Sequence, residues 1–140
     1  MAYNIFITHA FKEDSEYNEL RTWIENAPYA DKLGITSDPD KSKLPEGADL
    51  RAALVDQIKA ADCVLLIENM FGGYSGWMMH EFLTAREAGK RIILVKTLAN
   101  TVKQRATVPM TVEGGVDTVS IWHERTLINL LKQGIMELYE

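Results

Sequence analysis

The sequence predicts an α/β fold in which a mostly parallel five-stranded sheet is covered by helices on both faces. Two observations predict this architecture. Short apolar runs alternate along the chain with segments whose apolar residues recur at helical spacing. In addition, the run Asp62–Ile67 is almost continuously apolar, which is typical of a strand buried on both faces of a parallel sheet.

The first third of the chain predicts a strand, a helix and a weak second strand. Tyr3–Thr8 is short and rich in β-formers, which indicates a strand. The pair Asp14 and Ser15 offers a helix N-cap, and Pro28 ends the helical pattern that follows. A weak strand is expected over Lys32–Thr36. The apolar residues of the helix are Tyr17, Leu20, Ile24 and Ala27.

The middle of the chain predicts two further helices. The polar segment Ser37–Pro45 carries two prolines and indicates a long exposed loop. The run Asp62–Ile67 follows the second helix, and a Gly-rich loop over Phe71–Gly76 leads into a helix from about Trp77 to Ala88. Gly89 is placed to end that helix. The apolar face of the second helix consists of Leu50, Leu54, Ile58 and Ala61.

The last third predicts two strands and a final helix. Arg91–Val95 is a strong strand, Leu98–Gly115 is irregular, and Val116–Trp122 indicates the last strand. The final helix is marked by Leu127, Leu131, Ile135 and Leu138. Because ligands of such sheets bind beyond the carboxyl ends of the strands, four loops are expected to meet at a site. These loops are His9–Asp14, Ser37–Glu46, Glu68–Gly76 and Lys96–Asn100.

Composition excludes several classes of function. The 140 residues carry a formal net charge of −5, which argues against a nucleic-acid partner. Cys63 is the one cysteine, so no internal disulfide forms, and three scattered histidines make a metal site improbable. No apolar run approaches the roughly 18–20 residues that span a membrane, and Met1–Asn4 lacks the features of a secretory signal. We therefore expect a single cytoplasmic domain over residues 1–140.

Common catalytic motifs are absent. No G-x-G-x-x-G follows a strand, no phosphate-binding G-K-[ST] occurs, and no G-x-S-x-G is present. His80 and Glu81 begin like the zinc motif H-E-x-x-H, but position 84 is Thr. The absences exclude the commonest patterns of hydrolases, kinases and metalloproteases.

The pair Trp77 and Glu81 is the most informative feature that remains. The two residues are four apart and share one helix face, about one turn from the expected helix start. A carboxylate beside an indole and a Gly-rich loop suits glycosidic-bond chemistry, as a nucleophile, a stabiliser of an oxocarbenium-like centre or a partner of a ribose hydroxyl. From spacing alone, a core anchor beside a solvated charge explains the pair better.

Four segments together resemble a known family. They are Tyr3–Asp14, Leu54–Ile67, Ser75–Glu81 and Gly89–Val95, in this order along most of the chain. They resemble the opening strand and loop, the helix–strand signature, the S-x-W…E motif and the following strand of TIR-like domains. The resemblance is to the short bacterial branch that includes the signalling subunit of Thoeris anti-phage systems, and it implies a flavodoxin-like three-layer fold.

The resemblance also implies an activity. In catalytic TIR domains the glutamate matched by Glu81 is required to cleave the nicotinamide–ribose bond of NAD⁺, which is a substrate and not a cofactor. It implies products derived from ADP-ribose, a separate effector protein that responds to them, and self-association of the domain. The expected substrate-binding residues are His9, Phe11, Asn69, Phe71, Ser75 and Trp77.

Some assignments stay open in the sequence. His9 and Phe11 fit a ligand-contact role and a packing role equally, while Phe71 fits a loop anchor slightly better than a stacking surface. Two alternative functions also remain. One is a TIR-like scaffold that only binds partners, and the other is an enzyme resembling nucleoside deoxyribosyltransferases, which use a glutamate nucleophile.

Overall fold

The computed structural model describes residues 2–44, 47, 49–96 and 108–138, and it contains a five-stranded sheet. The spatial order of the strands is β2-β1-β3-β4-β5, and every neighbouring pair is parallel. This order confirms the predicted flavodoxin-like α/β fold. The strands are β1 (Tyr3–Ile7), β2 (Leu33–Ile35), β3 (Cys63–Ile67), β4 (Arg91–Val95) and β5 (Thr118–Ser120).

Helices connect the strands and cover the sheet. Helices α1 and α5 pack against each other and against β1, while α2 and α3 contact each other, and α3 also packs on β3 and β4. Within the described ranges, no helix has the length and apolar character needed to cross a membrane. The helices are α1 (Ser15–Glu25), α2 (Leu50–Lys59), α3 (Ser75–Glu87), α4 (Met110–Glu113) and α5 (Glu124–Leu138).

Local signals in the sequence account for the main elements. All five residues of β3 are buried, as the continuous apolar run over Asp62–Ile67 predicts. The Asp14 carboxylate accepts a hydrogen bond of 2.7 Å from the backbone N–H of Tyr17 and so caps α1. Gly89 has a φ of +70°, the left-handed conformation in which glycine commonly ends a helix.

Two predicted boundaries were wrong. The last strand is Thr118–Ser120, not Val116–Trp122, because β5 is an edge strand and pairs only with the last three residues of β4. The predicted irregular segment Leu98–Gly115 contains α4, a single turn too short to show helical periodicity. Residues 98–107 of that segment lie outside the described residues. The same is true of parts of two predicted site loops, namely Pro45, Glu46 and residues 97–100.

The start of α3 also differs from the prediction. The helix begins at Ser75 and not near Trp77, because Tyr74 occupies the N-cap position and no side chain caps the first turn. Ser75 is therefore already helical.

The contact between α5 and β1 generates a stability prediction. Gly134 is buried in α5, and a Cβ atom there would collide with the ring of Tyr3, which is itself 6% exposed. Alanine in place of glycine ordinarily stabilises a helix interior by about 0.5–1 kcal/mol. Here we expect Gly134→Ala to lower the free energy of unfolding by about 1–3 kcal/mol, because the core must shift.

Urea unfolding measures this effect, and Gly76→Ala is the matched control. Gly76 also lies in a helix, but a Cβ atom there meets nothing within 4 Å. A Gly134→Ala variant as stable as the Gly76→Ala variant would contradict the packing.

Candidate active site

Glu81 lies at the carboxyl ends of β1 and β3, where the chain connections diverge to opposite sides of the sheet. Its Oε1 atom accepts hydrogen bonds from the backbone N–H groups of His9 (3.3 Å) and Ala10 (3.5 Å), which follow β1. The side chain is completely buried. The prediction from spacing alone, that Glu81 is a solvated charge, is therefore wrong. Helix α3 holds the carboxylate inside the protein near β1 and β3.

Burial controls the ionisation of Glu81. It raises the pKa of Glu81 to about 8, since the interior disfavours the charged form, whereas the two N–H donors act in the opposite direction. Glu81 is six residues after the first residue of α3, nearly two turns and not one, so the helix dipole contributes little. In the described part of the chain its Oε2 atom has no hydrogen-bond partner.

The turn after β1 has an unusual backbone. Ala10 and Phe11 both adopt the left-handed conformation, with φ of 48° and 54°. The ring of His9 stabilises this turn, because its Nδ1 atom accepts a hydrogen bond of 2.8 Å from the N–H of Phe11. The carbonyl oxygen of His9 accepts a second bond, of 2.6 Å, from the N–H of Lys12. Two consecutive N–H groups at the start of this turn, those of His9 and Ala10, contact Glu81.

Aromatic side chains connect this turn to α3. The rings of Phe11 and Trp77 meet edge to face with their centroids 5.8 Å apart, and Trp77 lies 6.4 Å from the ring of His80. The ammonium of Lys12 lies 5.3 Å from the centre of the Tyr74 ring. Since the turn both bonds to Glu81 and contacts α3, it covers the carboxylate in this conformation.

The predicted site residues divide into three groups. His9, Phe11 and Trp77 lie around Glu81, and His9 and Phe11 are fully packed, so the packing role is realised for both in this conformation. Phe71 is 4% exposed and belongs to the core, which matches the loop anchor. Two others surround the start of α3. Ser75 is exposed at its first position, and Asn69 donates a hydrogen bond of 3.0 Å to Glu16.

Sequence reasoning missed Gln57. Its Oε1 atom lies 2.9 Å from His9 Nε2 and accepts a hydrogen bond of 3.0 Å from the N–H of Asp38, and its Nε2 donates to the Asp38 carbonyl oxygen. A polar residue on an amphipathic helix is ordinarily solvated, so spacing gave no signal for it. The donors to Glu81 are backbone groups and have no residue type by which to recognise them.

A separate cavity of about 830 Å³ lies between the end of α1 and the start of α5. None of the predicted site residues lines it, and the charged residues along it, Glu124, Arg125 and Lys132, are exposed. The candidate site is therefore assigned to Glu81, a buried ionisable group with an oxygen atom that no described residue hydrogen-bonds.

The raised pKa of Glu81 generates a prediction about stability. The pKa is about 8 in the folded chain against an ordinary 4.5. The stability from this group is therefore present below pH 4.5 and is lost as the pH rises through about 8. Glu81→Gln removes the titration, so we expect it to raise the free energy of unfolding relative to the unsubstituted chain by roughly 1–3 kcal/mol at pH 9 and much less at pH 5.

The measurement is urea unfolding at pH 5, 7 and 9, with Glu87→Gln as control. Glu87 is exposed on the same helix, so its substitution should produce no such trend. A stability difference for Glu81→Gln that does not grow with pH would show that Glu81 ionises normally.

Comparisons with known proteins identify the family and the fold of the chain. Residues 6–101, more than half of the chain, match the model of the family described as the TIR-like domain of the Thoeris protein ThsB. No curated protein matches the sequence significantly. Among solved structures, the CMP N-glycosidase BcmB of Clostridium botulinum is similar, with 16% identity, a TM-score of 0.56, and coverage of 93% of this chain and 98% of that chain.

A de novo designed protein with a Rossmann 2x3 fold is also similar in structure. Its identity is 10% and its TM-score 0.51, with coverage of 98% of this chain and 91% of the design. At such identities both likenesses show the shared fold alone. The family match includes the last two residues of β1, the turn that binds Glu81, and all of α3. The chain belongs to the family of Thoeris ThsB TIR-like domains.

Proposed function

We propose that this chain cleaves the N-glycosidic bond between nicotinamide and ribose in NAD⁺. The observation that carries the proposal is the Glu81 carboxyl group, which is buried at the carboxyl edge of the sheet and has one oxygen atom without a hydrogen-bond partner among the described residues. Membership of the Thoeris TIR-like family supports the same chemistry. Phe11 and Trp77 supply an aromatic wall beside it.

Cleavage of the nicotinamide–ribose bond of NAD⁺ requires little from the protein beyond such a carboxylate. Nicotinamide in NAD⁺ carries a positive charge, so it leaves as a neutral base that takes the bonding electron pair, and no proton has to be donated to it. Positive charge develops on the ribose C1′ atom instead. An ionised Glu81 stabilises that charge or holds a ribose hydroxyl group, and water or another acceptor then takes C1′.

Substrate entry requires the covering turn to move. Glu81 is completely buried, and its Oε1 atom is held by the N–H groups of His9 and Ala10. In the proposal, ribose hydroxyls replace these N–H donors when the Phe11–Trp77 contact opens. The proposal extends to an ADP-ribose-derived product, a separate effector that responds to it, self-association of the domain and a cytoplasmic location.

A second candidate is cleavage of a pyrimidine nucleotide or a deoxynucleoside. Its support is the raised pKa of Glu81, because a neutral carboxyl group can protonate a leaving base such as cytosine, which is a poor leaving group without a proton. The structural neighbour is a CMP N-glycosidase, which makes CMP the natural test substrate.

The deciding experiment incubates the purified chain with NAD⁺, CMP or deoxynucleosides, with and without lysate of phage-infected cells, and follows products by mass spectrometry. We expect loss of NAD⁺ and release of nicotinamide, slowed at least about a hundredfold in Glu81→Gln and unchanged in Glu87→Gln. Undiminished NAD⁺ loss in Glu81→Gln would contradict the mechanism. Partner binding without turnover of any substrate would indicate a scaffold.

The pH profile separates the two candidate reactions. If Glu81 acts as a carboxylate on NAD⁺, kcat/KM should rise with pH and level off above about 8, the pKa of Glu81 in the free protein. If Glu81 acts as an acid on CMP, kcat/KM should instead fall through the same pH. A profile flat from pH 6 to 9 would exclude Glu81 from both roles.

A further inference from the structure

Gln57 connects two loops at the carboxyl edge of the sheet. It lies on α2 and is half-buried, and its side-chain amide makes three hydrogen bonds to residues distant in the sequence. Asp38 forms two of them: its N–H donates to Oε1 (3.0 Å) and its carbonyl oxygen accepts from Nε2 (3.2 Å). These two hydrogen bonds fix the orientation of the amide. If the amide were rotated by 180°, its NH₂ group would face the N–H of Asp38 and its oxygen atom would face the carbonyl oxygen of Asp38.

The orientation of Gln57 determines the proton position on His9. Because Gln57 presents its oxygen atom to His9 Nε2 at 2.9 Å, that nitrogen carries the proton and donates. The hydrogen bond at the other ring nitrogen independently indicates the same Nε2–H tautomer. Because Nδ1 accepts a hydrogen bond from the N–H of Phe11, it carries a lone pair and no proton. Burial lowers the pKa of His9 and so favours the neutral ring, although the hydrogen bond with Gln57 and the nearby Asp38 carboxylate act in the opposite direction.

The tautomer of His9 matters for the turn that binds Glu81. Left-handed backbone costs about 1–2 kcal/mol for each residue other than glycine, so the surroundings must hold Ala10 and Phe11 in place. The Nδ1 atom of His9 holds the turn by accepting a hydrogen bond from the Phe11 N–H. The Glu81 carboxylate holds it by accepting hydrogen bonds from the N–H groups of His9 and Ala10. A proton on Nδ1 would oppose the Phe11 N–H and release the turn.

We propose that Gln57 is a positioning residue for Glu81. It holds His9 as the Nε2–H tautomer, the imidazole then holds the left-handed turn, and the turn directs two N–H groups at the Glu81 carboxylate. Through Asp38 the same amide ties the loop after β2 to this site. The effect of Gln57 on catalysis rests on the proposed function, but its effect on His9 and Glu81 does not.

The first test needs no variant. The chain is labelled with ¹⁵N-histidine, and the ring nitrogens of His9 are observed by NMR at neutral pH. We expect a single neutral Nε2–H tautomer with an unprotonated Nδ1. A neutral Nδ1–H tautomer, a mixture of the two or a protonated ring would overturn the proposal, whether or not any variant folds.

The second test compares Gln57→Leu with Gln133→Leu, the same substitution at an exposed position on α5. The carboxyl carbon of Glu81 is titrated by ¹³C NMR in each folded variant. We expect Gln57→Leu to raise the pKa of Glu81 by about one unit, because hydrogen bonds that favour the carboxylate are weakened. Gln133→Leu should leave it unchanged. An unchanged Glu81 pKa in folded Gln57→Leu would overturn the proposal.

Turnover of NAD⁺ then separates this proposal from the proposed function. We expect Gln57→Leu to lower kcat about tenfold with KM little changed, and to move the rising limb of the pH profile upward by the same shift seen in the titration. A shifted Glu81 pKa with no turnover in either protein would overturn the proposed activity and leave the positioning role supported. Unaltered kinetics despite the shift would overturn the catalytic consequence of that role.

Discussion

The contact between the Glu81 carboxylate and the backbone N–H groups of His9 and Ala10 is the interaction on which the rest of the site depends. A buried carboxyl group is costly unless it is neutral or receives hydrogen bonds, and Glu81 combines a raised pKa with two long N–H contacts. The contact lies at the start of the turn after β1, which is left-handed at two residues. That turn also brings Phe11 against Trp77 and so covers the carboxylate.

The topology of the sheet explains why these groups meet. The chain leaves β1 toward β2 on one side and returns to β3 on the other, so the carboxyl ends of β1 and β3 form the point where successive connections diverge. Helix α3 follows β3 and packs beside it, which brings Glu81 under the turn that follows β1. A fold of this type therefore supplies both the buried carboxylate and the loop that covers it.

Much of this arrangement could be predicted from the sequence. Continuous burial of β3 follows from its apolar run, and the start of α1 follows from the cap at Asp14. Glu81 was predicted as the catalytic residue from its place in a family motif, whereas its spacing with Trp77 alone favoured a solvated charge. The depth of Glu81 could not be predicted, because it depends on how α3 packs against the carboxyl ends of the strands and on a helix start that lacks a side-chain cap.

The hydrogen-bond partners of Glu81 could not be predicted from the sequence either. They are backbone N–H groups at the start of a turn that is left-handed at Ala10 and Phe11, two residues that ordinarily avoid this conformation. Gln57 likewise becomes significant only when the fold brings α2 next to His9 and Asp38. The periodicity of a helix indicates which of its faces is apolar. It does not indicate which polar side chain at the edge of that face forms a hydrogen bond with another element.

The most direct test of the central claim, that Glu81 acts on the ribose of NAD⁺, is a crystal structure of the Glu81→Gln variant with NAD⁺ bound. The nicotinamide ribose is predicted to lie within hydrogen-bond distance, about 3 Å, of the side chain at position 81, with the turn of His9 and Ala10 displaced. NAD⁺ bound in the cavity between α1 and α5, with the turn still closed over position 81, would contradict the claim.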